Sequence, residues 1–261
     1  MLRSLYTAAT GMDAQQTKLD IIANNLANAS TTGFKKTRAD FEDLLYDTIR
    51  SATPPTAQGG GQPTPLQVGL GVRTASTSRS FAQGDSVETK NPLDLAIQGN
   101  GFFRILRSNG DYAYTRAGAF RLDAAGRIVT PSGEQLDPGI TIPPDATNIV
   151  VKADGTVQVR LPGRNDMVDV GAIQLASFPN PGGLESIGNN LLLATASSGD
   201  PISARPGEQG TGSIGQGLLE SSNVSAVEEM INMITTQRNY ELNSKIIQSA
   251  DEMLQKLAQI R

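Results

Sequence analysis

Residues 225–261 contain neither glycine nor proline, and this run limits what the rest of the chain can be. Ser225 and Glu228 stand at the spacing of a capping box, so a helix is expected to begin there. It would run for roughly 36 residues, or about 54 Å. Its apolar positions trace one stripe: Val227, Ile231, Ile234, Leu242, Ile246, Ala250, Met253, Leu257 and Ile260. Ile231, Leu242 and Met253 lie eleven apart, as do Thr235, Ile246 and Leu257. An eleven-residue period describes a nearly straight or slightly right-handed packing seam.

The other end of the chain repeats the pattern in shorter form. Residues 4–29 hold no proline and a single glycine, Gly11. Leu5, Met12, Leu19 and Leu26 recur every seven residues, with Ala8, Gln15, Ile22 and Ala29 three behind them. One helical stripe results, broken only by Gln15. Gly33 suits a left-handed helix cap and is read as the helix stop. The helix would span roughly 26 residues, or about 39 Å.

Between the helices the period changes. Residues 34–49 are amphipathic and admit two readings, an extended arm or a helix. Residues 51–65 are rich in Pro, Gly, Gln and Thr and cannot pack a core. Val68, Leu70, Val72 and Thr74 alternate as in a strand. From Phe81 onward, short apolar runs such as 93–97, 102–106, 112–116, 149–152, 157–161 and 171–178 alternate with turn signals. Those signals include Asn109-Gly110, Ala125-Gly126, Ser132-Gly133 and Asp154-Gly155. The chain is therefore expected to be α+β. Residues 1–33 and 218–261 would form a helical domain, its helices paired in coiled-coil fashion. Residues 34–80 would form a β-hairpin-like arm, and 81–217 an inserted all-β domain.

Length then bears on function. A domain of ~130 residues has a radius of gyration of about 14 Å, too small to cover a ten-turn stripe. The N-terminal helix can cover part of it, and other copies of the chain are expected to cover the remainder. Exposed apolar surface of that extent is an assembly surface. A head-to-tail contact that does not close into a ring builds a helical filament.

Composition excludes much else. The chain has no His and no Cys, which removes Ser-His-Asp chemistry, His-containing zinc sites, thiolate metal sites and disulfides. A formal net charge of -4 and the lack of any Lys/Arg run argue against nucleic acid as a partner. No apolar stretch reaches the ~18 residues of a membrane span, and no cleavable leader is recognisable at the N-terminus. Asp94, Asp111, Asp123, Asp137 and Asp154 are candidate carboxylates for an enzymatic pair, and three of them sit in or beside turn sequences, where Asp serves the backbone. Gly99-Asn100-Gly101 lacks the third glycine and lysine of a phosphate loop. No catalytic, cofactor or metal site is expected. A monomeric binding module with ordered helical ends is the rival to self-assembly.

Long stretches of the chain resemble the bacterial flagellar rod and hook proteins. TAATGMDAQQTKLDIIANNLANASTTGFKK at 7–36 resembles their N-terminal signature, most specifically at 23–35. SSNVSAVEEMINMITTQRNYELNSKIIQSADEML at 221–254 is similar to their C-terminal one. NPLDLAIQGNGFFRI at 91–105 and YTRAGAFRLDAAGRIVTPSGEQLDPGITIP at 114–143 resemble the β domain these proteins share. LLYDTIRSATPPTAQGGGQPTPLQVGLGVR at 44–73 resembles the arm of the distal-rod branch, with the proximal rod as the alternative.

The resemblance implies a structural subunit of a rigid hollow tube that transmits torque and carries an export channel. The terminal helices would form its inner tube and the β domain its outer tube. The arm, carrying Leu44, Tyr46, Ile49, Leu66, Val68, Leu70 and Val72, would wedge between neighbours. The implied partners are further copies of the chain, rod subunits below, hook subunits above, and the bushing rings of the outer membrane and peptidoglycan. The export apparatus is another, and membrane insertion is not expected. The implied location is the periplasmic basal body, reached through the flagellar type III channel without a cleaved signal. Phe41 and Leu45 fit the family's Phe-x-x-x-apolar export motif, and a buried hairpin pair is the equal alternative.

Overall fold

The computed structural model describes residues 2–52, 64–163 and 166–259. It is α+β, with one long helix near each end of the chain and many short strands between. Two compact units result. One comprises 1–27, 37–78 and 225–261, and the other 28–36 and 79–224.

In the first unit, helix α1 spans Leu2–Ala27 and helix α2 spans Ala226–Gln259. The Ser225 hydroxyl lies 3.5 Å from the Glu228 amide, and the Ser225 carbonyl accepts the Glu229 amide at 3.0 Å, which starts α2. Glu228 and Glu229 place negative charge in the first turn, where the helix dipole favours it.

The arm belongs to the same unit, and residues 34–49 are extended rather than helical. Strand β1 (Thr37–Asp43) pairs with β4 (Val72–Arg79), and β2 (Tyr46–Arg50) with β3 (Leu66–Gly69). The second ladder is antiparallel, with Tyr46 opposite Gly69 and Thr48 opposite Gln67. The alternating run 68–74 is not one strand: β3 ends at Gly69 and β4 begins at Val72. Gly71 sits at φ +123, where a side chain would stand 2.2 Å from Thr10 Oγ1. A glycine is required there by both the angle and the space.

The second unit is a β body built around the strand Phe102–Leu106. Tyr112–Thr115 pairs along one edge, while Gln135–Asp137 and Leu175–Ser177 share the other. These belong to a nine-stranded sheet among the described residues. The two-residue period divides the strand's side chains. Phe103 and Ile105 enter the main core with Leu95, Ile97, Phe120, Leu136 and Leu175. Phe102 turns to a second cluster with Tyr114, Phe178 and Leu192. The rings meet edge to face, Phe103 on Phe120 at 5.1 Å and Tyr114 on Phe178 at 4.8 Å. The run expected at 171–178 divides into Met167–Ala172, in a three-stranded sheet, and Leu175–Ser177, in the large one.

Gly33 does not stop α1. The helix ends at Ala27, six residues earlier, and a turn closed by the Asn28 carbonyl and Thr31 amide follows. The positive φ of Gly33, +70, serves a close approach within the body. A methyl group there would stand 2.6 Å from the Ala117 amide nitrogen.

Candidate assembly surface

The two helices of the first unit run antiparallel. Asn25, near the end of α1, donates to Glu229, near the start of α2, at 3.4 Å. Gly11, midway along α1, faces Asn243, and a methyl group there would stand 3.1 Å from the Asn243 side-chain nitrogen. The seam of α2 that is buried carries Glu229, Thr236, Asn243 and Ala250, seven residues apart, with Met233, Ile247 and Leu254 beside them. Its counterpart on α1 is Ala8, Gly11, Gln15, Ile22 and Asn25. Small and polar residues thus meet across much of this contact. They allow a close approach and fix the register, at some cost in stability.

The apolar stripe of α2 faces elsewhere. Val227, Ile231, Ile234, Leu242, Ile246 and Met253 are between 50 % and 70 % exposed, and Met230 joins them. At 100° per residue Val227, Ile231, Ile234 and Leu242 lie well around the helix from the seam, while Ile246 and Met253 flank it. Part of the stripe read from the sequence is covered, at Ala250, and most of it is open. The sequence grouped α2's large side chains by their own period, whereas α1 chose the small face because it permits the closer approach. Ala250, grouped with the stripe by spacing, lies on the buried seam. Leu257 falls within α2, but its side chain and the whole of Ile260 lie outside the described residues.

On α1, Ile22 is buried, while Leu5, Met12, Leu19 and Leu26 are half-buried. The arm leaves still more apolar surface open. Leu45 is 82 % exposed, Tyr46, Ile49 and Leu66 are more than half exposed, and Val68 and Phe41 are above one third. Leu44, Leu70 and Val72 are half-buried. A two-stranded ribbon is marginal alone and carries two unpaired edges, so exposed aliphatic residues on it make a surface for another chain. The ribbon is fastened within its unit by ion pairs of Arg3 with Asp47 and of Arg73 with Glu42, the latter at 2.9 Å. Most of the Pro-rich segment at 51–65 lies outside the described residues.

Sequence reasoning missed Asn25, Glu229, Thr236 and Asn243. Asn25 also pairs with Thr37 in both directions, accepting its amide at 3.0 Å and donating to its carbonyl at 2.8 Å. The seven-residue spacing of small and polar residues on α2 was the available signal, hidden beneath the more apolar stripe. A second omission is the buried group Lys35, Arg116 and Glu220. Burial pushes the Lys35 ammonium below its ordinary value, against the opposing pull of Glu220. No helix among the described residues is long and apolar enough to cross a membrane.

Comparison with known proteins gives the family. Residues 5–35 match the family model for the flagella basal body rod protein, and 216–260 that for the flagellar basal body rod FlgEFG protein C-terminal. Residues 96–159 match the flagellar hook protein FlgE/F/G D1 domain. Lys35, Arg116 and Glu220 fall one in each matched segment. The flagellar basal-body rod protein FlgG of Caulobacter vibrioides is 51% identical over 261 residues, all of both chains. Those of Buchnera aphidicola from Acyrthosiphon pisum and from Schizaphis graminum are 48% and 47% identical over 260 residues, again the full length of each. With relatives this similar from end to end, the chain belongs to the family of the flagellar basal-body rod protein FlgG.

Proposed function

We propose that this chain builds the distal rod of the flagellum by stacking copies through the exposed stripe of α2. It is a structural protein and not an enzyme. The observation that supports the mechanism is the two-sidedness of α2: its small, polar face meets α1, and most of its large apolar side chains stay half or more exposed among the described residues. At ~25 cal/mol per Å2, even a few hundred Å2 of covered stripe contributes several kcal/mol before association entropy is subtracted. The contact is heterologous and extends into a helical tube. The paired helices form a coiled-coil-like inner wall around the export channel, and the β body the outer wall. The arm wedges between neighbours and stiffens the tube against bending. Full-length similarity to distal-rod relatives favours this over a proximal-rod subunit.

Rod subunits adjoin the tube below and hook subunits above, and the bushing rings surround it in the periplasm. The chain reaches its place through the flagellar type III channel, with Phe41 and Leu45 recognised before folding.

The test is the concentration dependence of assembly by purified full-length chain, followed by sedimentation and electron microscopy. Tubes are expected from the wild type. The Ile231→Asp/Leu242→Asp variant is expected to stay monomeric with an intact β body, because a carboxylate on the stripe cannot be desolvated cheaply. Identical tubes from that variant would remove the stripe from the mechanism.

A further inference from the structure

Three charged side chains lie buried together in the β body and come from segments far apart in the chain. The Lys35 ammonium donates to Glu220 Oε1 at 2.5 Å and to the Ala82 carbonyl at 2.7 Å. Arg116 Nη2 donates to Glu220 Oε1 at 3.5 Å, and Arg116 Nε stands 3.0 Å from Glu220 Oε2 as a charge contact. Arg116 Nη1 donates to the carbonyls of Gly99 and Gly101 at 2.8 and 2.7 Å. The Gly84 amide donates to Glu220 Oε1 at 3.0 Å. Side-chain exposure is 3% for Lys35, 5% for Arg116 and 0% for Glu220.

Two cations share one carboxylate, so the group tolerates the loss of a cation far better than the loss of Glu220. Backbone bonds join the same segments. The Gly33 amide donates to the Glu220 carbonyl at 2.8 Å, and the Lys36 amide to Asn223 Oδ1 at 2.7 Å. Asn223 Nδ2 in turn donates to the carbonyls of Ser80 and Ala82. Leu218–Glu220 pairs with Ser86–Glu88. The first segment of the body, 28–36, and its last, 218–224, are thus each other's partners.

We propose that Glu220 is the closing latch of the β body: residues 33–36 dock only together with the strand Leu218–Glu220, so closure waits for the body's last strand. A chain complete only to residue 217 already carries Lys35, Arg116 and most of the core, yet it holds two cations with no counter-charge. It stays open around them.

The experiment uses the full-length chain with Glu220→Gln, which keeps the shape and an oxygen for the Gly84 amide but removes the negative charge. Hydrogen exchange at the amides of Gly33, Lys36 and Gly84 is expected to quicken by about a hundredfold or more, with far less change in the strand Phe102–Leu106. Adding Lys35→Met removes one stranded cation and is expected to restore at least about tenfold of the lost protection. If Glu220→Gln alone fails to fold, the recovery of folding in the double variant becomes the readout. Unchanged protection in the single variant, or a double variant as open or as unfolded as the single, overturns the latch.

Discussion

The β body and the helical unit handle large apolar side chains in opposite ways. The body turns Phe103, Ile105, Leu136 and Ile173 inward until none is exposed, and leaves mostly turns and polar strand faces outside. The helical unit buries Thr236, Asn25 and Glu229 and holds Ile231, Leu242 and Met253 out to solvent. A chain that can bury one set of apolar residues completely is not short of means to bury another. The open stripe on α2 is the surface that the proposed stacking of copies would cover.

That contrast can be broken most severely by paired substitutions. Phe103→Ala is expected to cost about 3–5 kcal/mol of unfolding free energy through the cavity it leaves. Leu242→Ala, also the truncation of a large apolar side chain, is expected to change the stability of the dilute chain by less than ~0.5 kcal/mol, because little is buried there. Denaturant titration of both at low concentration checks this. Similar costs at the two sites would erase the distinction.

A middle-sized effect sharpens the boundary between the units. Gly33 belongs with the body although it lies in the N-terminal signature. Gly33→Ala adds a methyl group against the Arg116–Ala117 backbone at an angle that side chains avoid. It is expected to destabilise the body by about 1–3 kcal/mol. Thermal unfolding followed by the near-ultraviolet signal of the tyrosines would register it.

The smallest effect concerns a turn on the body surface. A hydrogen bond from Arg127 holds the Asp123 carboxyl below its ordinary value of 3.8, helped by backbone amides of Arg127 and Ala125. Its contribution is complete above 3.8 and is lost as pH falls through the lower folded-state value. Titration of Asp123 by NMR is expected to show that depression, and Arg127→Gln to raise the value toward 3.8. No change in Asp123 on replacing Arg127 would show the amides alone to be responsible.

Much of this was legible along the chain because it is local. The absence of glycine and proline at 226–259, together with its capped start and helical period, marks a helix, and the alternation at 102–106 marks a strand. The open choice at 34–49 was decided by pairing with residues some thirty positions away, which no local pattern records. Gly33 was recognised as a left-handed glycine, but its purpose was mistaken, because the Ala117 backbone it accommodates is remote in sequence. The seam between α1 and α2 was missed for a related reason: hydrophobic periodicity ranks faces by apolarity, and here the intramolecular contact uses the less apolar face.

The amino-acid order alone determined the helices, the strand-rich middle, the exclusion of histidine and cysteine chemistry and the family resemblance, since each depends on residue type and short-range spacing. Only the tertiary structure decided which side of α2 its own chain covers, and that Lys35, Arg116 and Glu220 share one buried charge. Both depend on distances between segments that the sequence separates by about eighty to two hundred residues, and burial is a property of those distances rather than of any single segment.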